Sequence, residues 1–357
     1  MLQPFNWRST ADQVTYDEFK WLPELGSDVY CVLWDTSLND VWAKQDLPTG
    51  YPVYILQCAE QVDMDWLNLQ RVRVPDSKIF VLNAGSSYDC LIDTNVEFVP
   101  YYVWHYQLEK IKGWNPTPQP KNVHKKVSVI CNRVTQSKLW TFAAAAEYVG
   151  VNDCMLKLGT WLEEKNVHYR ESCGNEALDS LSDIFWSKYW GTEYVIDKFD
   201  NHTQNFQRHT SNLDAPHLRE CAINITNESF HYSHMQHNGS SFIWPGPFLS
   251  EKTLSCLAAG TAFLSAGQCG VYQTLESLGL KFNYGIDLLW DSDPGNLSRF
   301  VGLTNVLKEL NQYSAQDIYD MTKESTLHNH SMIWSQDFFN ACELVNQRAA
   351  EKIARAV

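Results

Sequence analysis

Charged side chains gather at one loop-to-helix junction in the second half of the chain. An apolar run over residues 222–225 is followed by Glu228, and Ser250, Glu251 and Lys252 begin the next predicted helix. A helix start presents unpaired N–H groups and the positive end of the helix dipole to an anion. Glu251 suits a first helical turn, whereas Lys252 opposes the dipole unless an anion shares the site. We therefore predict that this junction binds a ligand that carries phosphate.

A second group of polar residues follows an apolar run over residues 127–131. Asn132 and Arg133 lie in the predicted loop, and Lys138 lies at the start of the predicted helix over residues 137–148. Backbone N–H groups together with a cation are a common way to hold a diphosphate. The sequence has neither a GxGxxG nor a GxxxxGK[ST] motif, so a dinucleotide site and a P-loop lack their fingerprints. Glu228 is predicted either to accept hydrogen bonds from sugar hydroxyls or to be a turn residue.

Two carboxylates in the first half of the chain are candidates for a general base. Asp35 and Glu60 each follow an apolar run. A carboxylate at the end of a parallel strand faces the ligand edge of the sheet, where it could take a proton from an acceptor hydroxyl. The residue pattern does not choose between the two, and we expect one of them to be only a loop residue.

Two further groups have metal-ligand chemistry but a weaker pattern. His231, His234 and His237 are three residues apart but lie in a predicted loop, and Asp291 and Asp293 fall in a predicted helix-entry loop. We therefore expect no metal site. The ten cysteines show no CxxC spacing, which excludes the common zinc and redox motifs.

Short apolar runs rich in Val, Ile and Tyr recur along the chain, which is typical of buried parallel strands. The predicted strands comprise residues 28–34, 52–57, 78–83, 96–103, 127–131, 222–225 and 261–264. This pattern predicts an α/β fold with two facing Rossmann-like domains and an interdomain cleft. The expected parts are a first domain at 1–112, a Pro-rich linker at 113–122, a second domain at 123–330 and a last helix within 331–357 that crosses back to the first domain.

The formal net charge of −14 over 357 residues argues against a protein that coats nucleic acid. An acid-free window from Lys110 to Ala146 nevertheless holds seven basic residues, which could form a local basic track. Residues 1–17 are polar and mixed, so we expect no secretory leader, and no apolar run approaches the ~20 residues of a membrane span. We therefore expect no membrane partner and a cytoplasmic location.

The second half of the chain resembles the fucosyltransferase-like glycosyltransferases of GT-B architecture. The resemblance rests on Asn-Glu-Ser from residue 227, Leu-Ser-Glu-Lys-Thr from residue 249 and Gly-Thr-Ala-Phe-Leu from residue 260. Phage and giant-virus glycosyltransferases of unassigned substrate share this pattern. Lys138 falls where the family places an arginine, and Tyr54-Ile55-Leu56-Gln57 before Glu60 is similar to the strand that precedes the family's catalytic base.

This resemblance implies a metal-independent, inverting transferase that needs no cofactor and takes a UDP- or GDP-sugar as donor substrate. Residues 123–330 would bind the donor, and residues 1–112 would form the acceptor side. The implied donor-binding residues are Asn132, Arg133, Lys138, Glu228, Ser250, Glu251 and Lys252. The basic residues would neutralise the diphosphate as it leaves, and the two glutamates would hold donor hydroxyls. Glu60 would take the acceptor proton, with Asp35 as the substitute.

The acceptor stays open between two classes. One is a glycan or small metabolite, and the other is a hydroxymethylated base in viral DNA, for which a viral protein would act in the host cytoplasm. The acid-free window and the many aromatic residues would suit DNA, whereas the net charge of −14 opposes it. The alternative functional class is a non-catalytic module that binds a nucleotide or a sugar. The sequence does not predict an oligomeric state.

Overall fold

The computed structural model describes residues 28–35, 46–58, 62–83, 95–102, 122–131, 134–159, 172–196, 215–228, 234–237, 240–243, 247 and 249–357. These residues fall into two compact units. Unit 1 comprises the described residues within Met1–Lys110, Tyr232–Phe248 and Gln336–Val357, and unit 2 comprises those within Ile111–His231 and Leu249–Ser335. The predicted Pro-rich linker lies outside the described residues except for Asn122.

The elements are numbered here in chain order. The strands are β1 (Val29–Asp35), β2 (Val53–Cys58), β3 (Val62–Asp63), β4 (Lys78–Asn83), β5 (Val96–Pro100), β6 (Lys125–Cys131), β7 (Cys154–Gly159), β8 (Val195–Ile196), β9 (Cys221–Asn227), β10 (His234–His237), β11 (Ser240–Ile243) and β12 (Ala262–Ala266). The α-helices are α1 (Met64–Arg73), α2 (Gln136–Ala144), α3 (Glu176–Ile184), α4 (Pro216–Glu220), α5 (Glu251–Ala259), α6 (Val271–Glu276), α7 (Asn296–Leu310), α8 (Ala315–Ile333) and α9 (Gln336–Ala354).

Unit 1 contains a parallel sheet in the order β1-β2-β4-β5. Its strands are continuous apolar runs because helices cover both faces of the sheet. Tyr54 and Leu56 pack with α1 on one face, and Val53 and Ile55 pack with α9 on the other. A smaller antiparallel sheet, β10-β11-β3, also belongs to this unit. The strands predicted over 28–34, 52–57 and 78–83 are confirmed, and the strand predicted over 96–103 is present but ends at Pro100.

The last helix, α9, packs in unit 1 although it follows unit 2 in the chain. Ile353 is buried in the core beneath the parallel sheet. The Asn346 side-chain amide accepts a hydrogen bond from the backbone N–H of Tyr102 and donates one to the Tyr102 carbonyl, both at 2.8 Å. Lys352 forms an ion pair with Glu97 on β5. Burial of apolar side chains and the two hydrogen bonds between the Asn346 side chain and the Tyr102 backbone together hold α9 on this sheet.

Unit 2 contains a parallel sheet in the order β12-β9-β6-β7-β8. Strands β7 and β8 follow β6 in the chain and lie on one side of it in the sheet. Strands β9 and β12 come later in the chain and lie on the other side of β6. This reversal is the topological switch point of an open α/β sheet, and it lies between β6 and β9. Helices α2, α5 and α8 pack on the strands around it. Because ligands bind beyond the carboxyl ends of the strands at such a point, a site is expected after β6 and β9.

Both units are therefore α/β with parallel sheets, as the sequence predicted. In the part of the chain that the structure describes, none of the helices has the length and apolar character needed to cross a bilayer.

Candidate functional site

The carboxyl ends of β6, β9 and β12 lie side by side in unit 2. Val129 pairs with Ile225 in the register of β6 and β9, so Cys131 and Asn227, two residues further along, lie at the same level. On the other side of β9, Ala266 of β12 pairs with Asn227. Cys131, Asn227 and Ala266 are all buried. These three strand ends form what we call the carboxyl edge of the unit 2 sheet.

One face of the carboxyl edge is turned toward α2. The Thr141 hydroxyl on α2 lies 2.8 Å from Asn227 Oδ1 and 3.0 Å from the carbonyl oxygen of Lys138. Lys138 lies in the first turn of α2 and is only 6% exposed. That turn has no acidic residue, and Thr135, which precedes the helix, does not cap its N–H groups with its side chain. The start of α2 therefore combines the positive end of a helix dipole with a buried cation.

The opposite face of the carboxyl edge is turned toward α5. Glu228 is fully buried, and its Oε1 accepts hydrogen bonds from the Ser250 N–H at 3.2 Å and the Thr253 hydroxyl at 2.7 Å. The Ser250 side chain caps α5 by accepting a hydrogen bond from the Lys252 N–H at 3.2 Å. The Thr253 hydroxyl also lies 3.4 Å from Thr226 Oγ1. A carboxylate of the protein itself thus lies at the positive end of the α5 dipole.

Lys138 and Lys252 bring positive charge to the same strand end. Burial raises the pKa of the Cys131 thiol to about 11, and the charges of Lys138 and Lys252 both act in the opposite direction. The charges of both lysines therefore influence a thiol at the end of β6, although the two lysines belong to different helices. Lys252 Nζ also lies 3.3 Å from Ser250 Oγ. The two lysines therefore act on the same buried thiol, and their assignment to one phosphate site stays a prediction.

The loop after β12 completes the carboxyl edge. A Cβ atom at Gly267 would lie 3.1 Å from Ser265 Oγ and 3.3 Å from Glu228 Cγ, so the loop packs directly on the Glu228 side chain. The buried Arg299 of α7 holds this loop, because its Nε donates to the Gly267 carbonyl at 3.1 Å and an Nη donates to the Asp293 carbonyl at 3.0 Å. The guanidinium fork can bridge two backbone segments in this way because it carries several donors in one plane.

Asp291 and Asp293 each accept hydrogen bonds from the backbone. Asp291 Oδ2 accepts from the Tyr272 N–H at 3.0 Å at the start of α6, and Asp293 Oδ1 accepts from the Gly295 N–H at 2.7 Å. Burial raises the pKa of Asp291 to about 7, whereas hydrogen bonds from Ser298 and Gly295 lower the pKa of Asp293. Within the described ranges, no three His, Cys, Asp or Glu side chains form a group that could hold a metal ion.

Several predicted site residues lie outside the described residues or are described by their backbone alone. Asn132, Arg133 and Glu60 lie outside the described residues. Asp35 is described only as the last residue of β1, and Glu251 only as the first residue of α5, in each case without the side chain. Their proposed roles stay predictions.

One local prediction is wrong. The sequence predicts a loop at His234 and His237, whereas His234–His237 form β10, which pairs antiparallel with β11. The pairing with Ser240–Ile243 supplies the backbone hydrogen bonds of this strand, and no periodicity in the sequence pointed to it. The spacing of three residues would align side chains on a helix but does not do so on a strand. His231 lies outside the described residues.

Sequence reasoning missed four residues that shape the carboxyl edge: Thr141, Asn227, Thr253 and Arg299. Arg299 had a detectable signal, because it lies four residues before the buried Leu303 on an amphipathic helix and so occupies the apolar face. The other three are small polar residues whose contacts cross between elements, and single-sequence patterns do not indicate such contacts.

A cavity of about 530 Å³ lies at the other end of the unit 2 sheet. Its lining includes Asn152 and Asp153, which precede β7, together with Lys188 and Tyr194. It is separated from the carboxyl edge by the length of the strands and has no part in the site described here.

Neither a protein-family model nor a curated protein matches the sequence.

Proposed function

We propose that this protein is a glycosyltransferase that moves a sugar from a UDP- or GDP-sugar to an acceptor hydroxyl. The observation that supports this best is that the charges of Lys138 and Lys252 both lower the pKa of Cys131, which ends β6 at the switch point of the unit 2 sheet. Two cations at two helix starts suit the two phosphates of a nucleotide sugar. The resemblance to GT-B enzymes agrees with this proposal, in which two Rossmann-like units face each other across a ligand cleft.

In the proposed reaction the acceptor oxygen attacks C1 of the sugar as the bond between C1 and the diphosphate oxygen breaks. The acceptor proton passes to a carboxylate, for which Glu60 is the first candidate and Asp35 the second. The nucleoside diphosphate leaves with an added negative charge, which Lys138 and Lys252 balance. Attack opposite the leaving group inverts the configuration at C1. The lysines supply the positive charge in this scheme, so we propose that no metal ion is required.

Glu228 has a supporting role in this proposal. Because it is fully buried and accepts hydrogen bonds from Ser250 and Thr253, it fixes the start of α5 and so the position of Lys252. The further donor-binding candidates are Asn132, Arg133, Ser250 and Glu251.

The acceptor is either a glycan or small metabolite, or a hydroxymethylated base in DNA. The two classes differ in the salt dependence of binding. A DNA acceptor requires affinity for DNA that falls steeply with salt concentration, since phosphate contacts release counterions. Absence of DNA binding, or binding that salt does not weaken, removes the DNA acceptor.

The donor site can be tested by thermal shift with UDP, GDP, CMP and ADP sugars, followed by turnover assays. A UDP- or GDP-sugar is expected to raise the melting temperature by mass action. Lys138→Met and Lys252→Met are each expected to weaken donor binding at least about tenfold, since each removes a charge-assisted hydrogen bond. Lys157→Met, at an exposed position on β7, is the matched control and should bind the donor normally.

Two outcomes count against the proposal. If no nucleotide sugar stabilises the protein, or if both lysine variants bind the donor as the control does, unit 2 is not a donor site. If a donor binds but no acceptor supports turnover, the non-catalytic binding module is the better description.

The general base is tested by Glu60→Gln and Asp35→Asn, each of which removes one proton acceptor. We expect one of the two variants to lose most of kcat, about 100-fold or more, while donor binding is retained. Full turnover in both variants would show that neither carboxylate is the base.

A further inference from the structure

We propose that the cavity at the amino end of the unit 2 sheet is a second binding site, which takes an uncharged sugar unit of a glycan. Asn152 and Asp153, which precede β7, and Tyr194, which precedes β8, form part of its lining. The inference goes beyond the proposed function and does not depend on it, because the carboxyl edge lies at the opposite end of the same strands. If the protein is also a glycosyltransferase, this site favours a glycan over DNA as the acceptor.

Both π-helical segments in the described part of the chain lie at this cavity. The first, Ala145–Gly150, follows α2 and contributes three lining residues. The second, Phe185–Tyr189, follows α3 and contributes Lys188 and Tyr189. π-helical turns are rare in proteins and occur frequently at functional sites. Two of them at a single cavity therefore point to a binding role.

The cavity has the size and the apolar surface of a site for a small ligand. Its volume of about 530 Å³ lies within the range of roughly 300–1,000 Å³ that is typical of such sites. The buried side chains of Ala146 and Val149 supply part of its surface. A Cβ atom at Gly150 would meet no atom of the described residues within 4 Å, and the φ of 100° there favours glycine. The space beside Gly150 is therefore open to a ligand.

Tyrosine rings and hydrogen-bonding groups occur together in the lining. Tyr189 is buried and Tyr194 is half-buried, while Asn152, Asp153 and Thr192 add an amide, a carboxylate and a hydroxyl group. A sugar ring has an apolar C–H face, which packs on an aromatic ring, and an edge of hydroxyl groups, which form hydrogen bonds with such polar groups. A pure hydrocarbon would bury the polar groups without giving them partners, which costs free energy.

The charged groups at the cavity are paired with one another. Lys188 Nζ lies 2.6 Å from Glu147 Oε1, and Lys126 Nζ lies 3.0 Å from Asp153 Oδ2. A third lysine, Lys125, donates a hydrogen bond to a backbone carbonyl of the same loop. An anionic ligand would have to displace a carboxylate from its lysine, and a cationic ligand would have to displace a lysine. The pairing therefore favours an uncharged ligand.

The groups that would contact the sugar are held in place before it binds. The Tyr189 hydroxyl donates a hydrogen bond to Glu147, which fixes the ring. The Thr192 N–H donates to the Tyr189 carbonyl at 3.1 Å, and the Leu158 N–H donates to the Tyr194 carbonyl at 2.9 Å. A lining fixed in this way loses little conformational freedom when the ligand binds, which favours affinity.

The direct test uses the unmodified protein with cellobiose and the methyl glycosides of glucose, galactose, mannose, fucose and N-acetylglucosamine. Saturation-transfer NMR detects which sugar binds, and hydrogen–deuterium exchange locates it. We expect at least one sugar to bind and to slow exchange in peptides that cover residues 146–153 and 188–195, while a peptide that covers 249–254 is little changed. Binding of none of these sugars, or protection that misses residues 146–153 and 188–195, would overturn the inference.

Two further ligands test the chemical class. Glucuronic acid adds a negative charge to a sugar ring, and adenosine replaces part of the ligand with an aromatic base. We expect both to bind the cavity more weakly than the best neutral sugar does. Equal or tighter binding of glucuronic acid would show a site for anions, and equal or tighter binding of adenosine would show a site for nucleosides. Either result would overturn the assignment to an uncharged sugar.

Three variants test the aromatic part of the lining. Tyr194→Ala removes a ring, so sugar affinity should fall by about fivefold or more, whereas Tyr194→Phe keeps the ring and should retain most of the affinity. Tyr319→Ala is the matched control, because Tyr319 is also half-buried and lies on α8 beside Lys323, outside the lining. Equal affinities in the two alanine variants would contradict the assignment. The exchange experiment needs no substitution, so the inference stays testable if a variant does not fold.

The inference and the proposed function fail in different ways. Nucleotide-sugar turnover with no sugar bound at residues 146–153 and 188–195 would overturn the inference and leave the transferase. A sugar bound there, in a protein that no nucleotide sugar stabilises, would leave the sugar site and overturn the transferase.

Discussion

Replacing Asp291 by Asn is expected to remove a large part of the pH dependence of stability. Asp291 is 3% exposed, and burial raises the pKa of its carboxyl group from 3.8 to about 7 in the folded protein. Hydrogen bonding from the Tyr272 N–H and the charge of Arg299 lower the pKa but do not offset burial. An unfolded chain exposes the carboxyl group, so its pKa returns to the ordinary value.

The sign and size of the effect follow from proton linkage. Over the pH range between the two pKa values, the folded protein keeps a proton that the unfolded chain has lost. The contribution of Asp291 to stability is therefore fully present below the unfolded pKa and is lost as the pH rises through the folded pKa. Between about pH 4.5 and about pH 8 the loss amounts to roughly 3 kcal/mol, at about 1.36 kcal/mol for each pKa unit. Asn has no proton to lose, so the variant lacks this loss.

The assay is urea unfolding of the wild type and the variant at both pH values. The free energy of unfolding of the wild type should fall by roughly 3 kcal/mol more than that of Asp291→Asn between the two conditions. Asp287→Asn, at an exposed position in the same segment, should behave as the wild type does. Identical pH dependence in the wild type and Asp291→Asn would refute the conclusion that this carboxyl group is held neutral by burial.

Two further substitutions test contacts that position the elements. Asn346→Ala removes both hydrogen bonds to the backbone of Tyr102, so the free energy of unfolding in urea should fall by about 2 kcal/mol. An unchanged midpoint of urea unfolding would show that apolar burial alone holds α9. Glu228→Ala leaves the Ser250 N–H and the Thr253 hydroxyl without their buried acceptor. The free energy of unfolding should fall by about 2–4 kcal/mol, and hydrogen exchange at residues 249–253 should become faster. Unchanged exchange there would contradict the role given to Glu228.

The limits of α5 could be predicted from the sequence because they depend on local chemistry. Ser250 caps the helix with its side chain, the helix begins at Glu251, and Gly260 ends it with a φ of 62°. A left-handed conformation at a helix end favours glycine because it has no Cβ atom. Both signals come from residues at the helix ends themselves, so no tertiary information was needed.

The limits of α2 were predicted less well. The helix was expected over residues 137–148, whereas it spans Gln136–Ala144 and continues as a π-helical segment over Ala145–Gly150. The π-helical segment ends at Gly150, which has a φ of 100°. The π-helical segment packs on β6, β7 and α7, and such tertiary contacts are not visible in the spacing of apolar residues.

The contacts of the carboxyl edge could not be predicted from the sequence. Asn227 and Glu228 are adjacent in the chain but contact different helices, because successive residues of a strand face opposite sides of the sheet. Which helix lies on which side depends on the strand order, and that order is set by pairing between segments far apart in sequence. Local patterns identified Lys138 and Lys252 as candidates, but those patterns do not show that both charges act on the thiol at the end of β6.

The most direct measurement is a crystal structure of the protein with UDP or GDP bound. We expect the diphosphate beyond the ends of β6 and β9, with its oxygens about 3 Å from the ammonium groups of Lys138 and Lys252. A nucleotide bound far from both lysines would contradict the proposal that unit 2 holds an activated sugar.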